Sequence, residues 1–507
     1  MESKTSHIKL AFLFLFIGGQ LLHGQSVDSL ITSELVAFDR NELGIAQLET
    51  ENEVIHVMFD DFDYSVSFSS YNIHDLSQVK KFIWRRNADN YPNLEIHVVE
   101  YFNNRIFVLY SSTDADTKEK VVSLSSIFLD GKWDQDYEIS RTPPKQRFLP
   151  VEYYIYKSKS TAYMGVSLSK ESFKNIEAEV EIHLINRDLE LESSHKITLP
   201  GLEKIASPSQ FQISDLGLVY FLSGQDKMKA EVDGKLGLEK KVYQLYMYNH
   251  QIERLKQFDV SIADKFISDV KMKLHKNGDL FVLGFYNNTH VKGAEGVFLM
   301  VIDGKSPKVK ASGKKKLSTE IKKDFISGKR LIKNPVIDDL YLDHFHIKEN
   351  GNIVFIGEVF YVDKRLVNQA NLSNLTTSVY YNFNEILCVE LDSRLNYVQH
   401  LTIPKHQKSV NLYNMYYSYS VLNFESENPL IVYNYAKNKH GQNVTEISGI
   451  SKTYLYIQPI FSEDFSKLEL PHKSKVKVAP GINKEFKNDF LVLQNKRKYL
   501  VSEVVFK

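Results

Sequence analysis

Cysteine is nearly absent from this chain, with Cys388 its sole thiol in 507 residues. No intramolecular disulfide framework can form, so the fold must be held by packing and hydrogen bonding alone. Cys388 sits in the apolar run 386–391, and no activating neighbour accompanies it, which marks a buried small side chain rather than a reactive thiol. Net charge is absent too: 63 Lys plus Arg balance 63 Asp plus Glu. Bulk charge therefore excludes a general polyanion binder such as a nucleic-acid coat, and any anion site has to be local. Tryptophan is scarce at two residues, Trp84 and Trp133. No Trp-Asp dipeptide recurs, and neither does a Gly-Gly pair. H-E-x-x-H, G-x-S-x-G, C-x-x-C and a phosphate loop are all missing, so catalytic and cofactor roles find no motif here. No apolar run reaches the ~20 residues that a membrane-spanning helix requires.

Against these absences stands a surplus of aromatics, 31 Phe and 29 Tyr, which suits pleated, half-buried surfaces. Two phrases recur. The first joins an Asn-Gly turn to an apolar run that ends in a glycine: Asn277-Gly278 before Gly284, and Asn350-Gly351 before Gly357. Each reads as a tight hairpin with positive φ in its two-residue loop, and Asn103-Asn104 is a looser copy. The second is an apolar strand, a short polar turn and an apolar restart. Its markers are Asn72, Asp130, Asn186, Asn249, Asp303, Asp392 and Ser462, recurring every ~54–89 residues. In the clearest copy four strands follow one another at 342–347, 353–360, 385–391 and 398–403, named A to D from the first. Prolines at 200, 404 and 471 close the fourth strand, where a missing N–H does no harm.

Four antiparallel strands per unit, without a long amphipathic helix, predict an all-β chain folded as a β-propeller. The count is seven or eight blades, and eight is the expectation carried forward. Pairing of the segments at 29–38 and 490–506 is expected to close the ring and hide an unpaired edge. In strand pattern over nearly the whole chain, the repeats resemble those of secreted bacterial β-propeller proteins, among them kelch-like, NHL-like and quinoprotein-type propellers. The resemblance extends to no family motif, so no functional residue is carried over from it.

Lys4 and Lys9 precede the apolar run 10–17 and the small residues near Gly24. This reads as a cleaved signal peptide at 1–25, leaving 26–507 as a single propeller domain exported to the periplasm or the cell surface. Antiparallel order puts the A–B and C–D turns on one end of the ring and the B–C and D–A connections on the other. The long connections are of the second kind: 225–240, 361–384 and 436–452 among B–C, and 305–338 among D–A. That end is the expected working face. Its basic residues, Arg85, Arg86, Arg147, Lys314, Lys315 and Lys316, are the candidate anion-binding set.

Paired carboxylates at Asp60-Asp61-Phe62-Asp63 and Asp114-Ala115-Asp116 lack the calcium-loop pattern and read as turn residues. His344 and His346 lie on one strand face without a third ligand, so no metal or cofactor is expected. The tyrosines at 413, 416, 417 and 419 read as packing between blades. The sequence thus describes an exported protein, without a catalytic constellation, that binds a protein or glycan partner through its long-loop end. A propeller hydrolase or lyase acting on polysaccharide, and a structural subunit of a cell-envelope complex, are the rival readings. Nucleic acid is excluded as a partner by the export signal and the charge balance, and oligomeric state leaves no signature.

Overall fold

In the computed structural model the described chain excludes residues 1–26, 33–35, 38–41, 61, 87–91, 145–147, 173–177, 200–208, 228–239, 264, 289–292, 307, 327–328, 334, 369–374, 412–416, 427–428, 436–453, 462–465, 470–476, 479–484, 487–489, 495–497 and 507. The signal peptide expected at 1–25 lies outside these residues. What is described is strand almost throughout, in meandering four-stranded sheets. Seven sheets are each built from four strands in sequence order, spanning 42–85, 95–142, 148–199, 209–260, 266–316, 340–403 and 420–469. They are blades 1 to 7 of an all-β propeller. Blades 6 and 7 each accept one additional strand, Gln407–Val410 and Glu485–Phe486.

The expectation of eight such blades is corrected to seven. The remaining sheet is not a fourfold meander. It gathers Lys477–Val478, Phe490–Gln494, Lys498–Phe506 and Val27–Thr32, with Val36–Ala37 also on the third of these. The repeat pattern counted the 490–506 hairpin as a degenerate unit. Its other strands are two-residue pieces and a segment from the far end of the chain. Val27–Thr32 runs antiparallel to Lys498–Phe506, Leu30 opposite Val504 and Thr32 opposite Ser502.

Each interface between consecutive blades has its own apolar core. Ile55, Val57 and Phe68 of blade 1 meet Val99, Ile106 and Val108 of blade 2. Leu283, Phe285 and Val297 of blade 5 meet Leu342, Phe345 and Phe355 of blade 6. Val54, Met58 and Tyr71 of blade 1 pack on Tyr499 and Val501 of the terminal sheet, where the hydroxyl of Tyr71 donates to that of Tyr499 at 2.8 Å. Side chains buried on both sheet faces explain why the middle strands read as continuous apolar runs rather than as alternation.

The recurring glycine phrase has a geometric cause. In blades 1 to 6, strand A slips register against strand B near its start, as between Ile267 and Asp269 and between Leu342 and His344. Such a bulge pushes backbone against the neighbouring strand. A Cβ on Gly284 would stand 2.4 Å from the Asp269 carbonyl, and one on Gly357 2.6 Å from that of Tyr341. The Asn-Gly turns differ from expectation. Only Gly278 (φ 87°) and Gly351 (φ 84°) are left-handed, and His275 N donates to Asp279 O across a three-residue loop. Asn277 Oδ1 instead accepts from Asp279 N at 2.9 Å. The two-residue turn with positive φ at both positions is the looser copy, Asn103 (45°) and Asn104 (59°).

The connection after blade 5 is not the long open loop expected at 305–338. Its first part is strand D, Val309–Lys316, and its second carries a short helix, Thr319–Phe325, capped by Ser318. Leu317, Ile321 and Ile326 sink into the core between blades 5 and 6. Likewise the connection expected at 361–384 is largely strand. Strands B and C of blade 6 run on as Ile353–Asn368 and Leu375–Leu391, a hairpin rising from the long-loop end.

Candidate functional site

At the root of that hairpin a recess of ≈ 400 Å³ is lined by Asp339, Tyr341, Phe360, Tyr361, Val362 and Asp363. Tyr361 and Val362 are exposed at 38% and 45%, unusual for apolar strand residues. Tyr341 lies 6.3 Å from Phe360, which leans on Phe383 at 4.9 Å. Further out Arg365 and Lys408 both approach the Tyr380 ring, at 5.1 and 4.5 Å. Beneath the recess a buried polar cluster ties blade 6 to blade 7. Lys405 Nζ stands 2.6 Å from Glu358 Oε1, and the Ser418 hydroxyl donates to Glu358 Oε2 at 2.6 Å. Ser418 N and Tyr419 OH donate to Gln407 and Asp343. The hairpin therefore stands on a fixed base.

The candidate anion-binding residues are not brought together. Arg85 and Arg86 end blade 1, whereas Lys314, Lys315 and Lys316 lie on the outermost strand of blade 5. Arg85 pairs with Asp63; Arg86 pairs with Asp136 and lies over Trp84 at 5.4 Å. Lys315 lies 5.8 Å from the Tyr397 ring, Lys316 is 2.9 Å from Glu295, and Lys314 is exposed on the same strand. Arg147 falls outside the described residues. Lysines on an outer strand guard its unpaired edge against other sheets.

The paired carboxylates cap turns, as expected. Asp60 Oδ1 accepts from Phe62 N at 2.8 Å, and Asp114 Oδ1 from Thr117 N at 2.9 Å, with Arg141 on its other oxygen. Hydrogen bonds from Thr117 and Arg141 hold the Asp114 carboxyl well below the usual range. Among the described residues no three His, Cys, Asp or Glu side chains are grouped to hold a metal ion. His344 and His346 instead edge the Phe424 ring, at 5.5 and 6.0 Å. Cys388 is fully buried, which pushes its thiol far up. Tyr417 and Tyr419 are buried beside blade 6, while positions 413 and 416 lie outside the described residues.

Sequence reasoning missed the other end of the ring. The A–B turns of blades 3, 4, 5 and 7 converge on a cavity of ≈ 710 Å³. Lys157, Lys159, Lys273, Lys276 and Lys305 face it, against Asp215 and Glu425. Lys273 of blade 5 reaches Glu425 of blade 7 at 2.7 Å, past the intervening blade, so the cavity lies across the mouth of the ring. The signal was in the turns, Lys157-Ser158-Lys159 and Lys273-Leu274-His275-Lys276, where lysine recurs at the end of strand A.

Acid–base chemistry finds no support in these carboxyls. Burial works to raise Glu425 and Asp215, yet Lys273 prevails at the first and hydrogen bonds from Ser160 at the second, so both stay below their ordinary values. Lys276, 2.8 Å from Glu349, lowers that one too. A general acid needs the opposite shift. Asp269 is raised by burial, but its Oδ2 accepts from Leu342 N at 2.7 Å, clamping blade 5 to blade 6. Ser111 and His97 come within 2.8 Å, an arrangement that could suit a nucleophile and its base. Ser111 is wholly buried, however, and its hydroxyl donates to Glu95 Oε2 at 3.4 Å.

No family model and no curated protein matches the chain. Solved structures do. A member of the DUF4221 family from Bacteroides vulgatus shares 12% identity over 95% of this chain and 99% of its own, with a TM-score of 0.31. The β-propeller domain of the Trilobed protease from Pyrococcus furiosus shares 8% over 87% and 98%, at 0.35. A GH43 endo-arabinanase from Bacillus licheniformis shares 12% over 52% and 96%, at 0.26. No specific family is supported, and the propeller fold rests on the seven four-stranded sheets themselves.

Proposed function

We propose that the protein is an exported, non-catalytic binding propeller whose long-loop end receives a protein or glycan partner. The observation that carries this reading is the blade 6 hairpin, with Tyr361 and Val362 exposed beside an aromatic recess on a rigid base. Aromatic rings of this kind bury large area at little conformational cost, against a sugar face or a peptide. Residues 1–25 are the leader in this reading, and 26–507 the domain that works in the periplasm or at the cell surface. The antiparallel pairing of Val27–Thr32 with Lys498–Phe506 supports closure of the ring by the two chain ends. Arg85 with Arg86, Arg147, and Lys314 with Lys315 and Lys316 enter as separate basic patches that attract an anionic partner over distance.

The test is a panel of immobilised glycans and cell-envelope proteins, probed with the full chain and with a Tyr361→Ser, Val362→Ser double variant. Retention on one target, about tenfold weaker in the variant, is the expected outcome. Release of new reducing ends from any polysaccharide would establish the hydrolase instead. Unchanged retention by the variant would move the site elsewhere.

A further inference from the structure

The cavity at the tight-turn end has a chemistry distinct from that of the aromatic recess. Its lysines outnumber its carboxylates in a chain whose net charge is zero. Lys273 is matched by Glu425, Lys157 by Glu100 and Lys276 by Glu349; exposed Lys159 makes no direct ion pair but lies in the field of Asp215, Glu425 and Glu349, and exposed Lys305 makes no ion pair among the described residues. His275 Nδ1 is buried and bonds to nothing there. Leu216, 65% exposed at the tip of a turn, offers carbon surface in the same lining.

We propose that this cavity binds a carboxylate-bearing sugar unit, of the kind found in acidic polysaccharides. Lys159 and Lys305 receive the carboxylate, where charge-assisted hydrogen bonds are strongest. Asp215, whose Oδ1 already accepts from Ser160 N, accepts through its other oxygen from a ring hydroxyl, and Leu216 covers the apolar sugar face. Asp215 decides against a bare sulfate, which brings no hydroxyl donor for its carboxylate to use. A volume of ≈ 710 Å³ is in the range of pockets that enclose small ligands. This inference does not depend on the long-loop reading, because the two sites lie at opposite ends of the blades.

The experiment is calorimetric titration of the full chain with a galacturonic acid dimer, and with a neutral galactose dimer and a Glu-Glu dipeptide as comparisons. The acidic dimer is expected to bind, and to bind less tightly as salt is raised. Lys159→Ala and Lys305→Ala, both exposed and neutral for folding, should each weaken it about tenfold. The Tyr361→Ser, Val362→Ser variant should leave it unchanged, which separates the two sites. The proposal is overturned by equal binding of the neutral dimer, by tighter binding of the dipeptide, by undiminished binding in both lysine variants, or by no binding at all.

Discussion

His56 is buried in blade 1 with its ring 4.3 Å from that of Tyr499 in the terminal sheet. Burial pushes its pKa down to about 3, the Ala46 backbone opposing weakly. The native chain therefore refuses a proton that the unfolded chain accepts. Above pH 6.5 both states are neutral and the group has no effect; below it the unfolded state gains, until the native imidazole protonates near pH 3. At pH 5 the cost is about 2 kcal/mol from this residue alone. His183, pushed down to about 4 by burial, acts in the same direction. Stability measured by urea unfolding should fall between pH 7 and pH 5, and His56→Leu should flatten that slope. An equal slope in the variant would contradict the assignment. The sequence marked neither histidine, because burial at a junction between sheets far apart in the chain leaves no local pattern.

Among the elements, the blade 6 hairpin and its base show where local signals end. The strand starts, the position of the turn at Asn350-Gly351 (though not its three-residue form) and the glycine at 357 were legible, since each answers to a neighbour a few residues away. Residues 361–384 read as a loop because polar and aromatic side chains are interspersed there, yet the two arms face each other and continue the ladder. Lys405, just past the proline that closes strand D, carries no local mark of burial and yet lies buried against Glu358, a partner 47 positions earlier in the chain (405 − 358 = 47). Removing one member strands the other charge. Lys405→Ala should cost about 3–5 kcal/mol in chemical unfolding, whereas Lys405→Met with Glu358→Leu should recover most of it. If the single and double variants lose equally, the pair does not brace the hairpin. Lys314 to Lys316 teach the complementary lesson. A charge run on an outer strand looks the same in sequence as one on a loop.

At the scale of the whole molecule, seven four-stranded sheets pack face against face, and each pair of neighbours shares a private apolar core. The fold was legible because the meander repeats; the blade count was not, because the terminal sheet borrows strands from both ends. The cavity at the tight-turn end was invisible for a related reason. Its lining comes from turns of four blades, each unremarkable alone. A ring of independent interfaces leaves its two ends free to serve different ligands, and the account rests on the long-loop end being the one that meets the macromolecular partner. Amide hydrogen exchange of the full chain, with and without the target retained on the panel, tests this most directly. The account predicts slowed exchange in Ile353–Asn368 and Leu375–Leu391 and around Leu340–Ile347 near Tyr341. Slowing confined to the turns at 158–161, 214–217 and 275–279, with the hairpin unchanged, would contradict it.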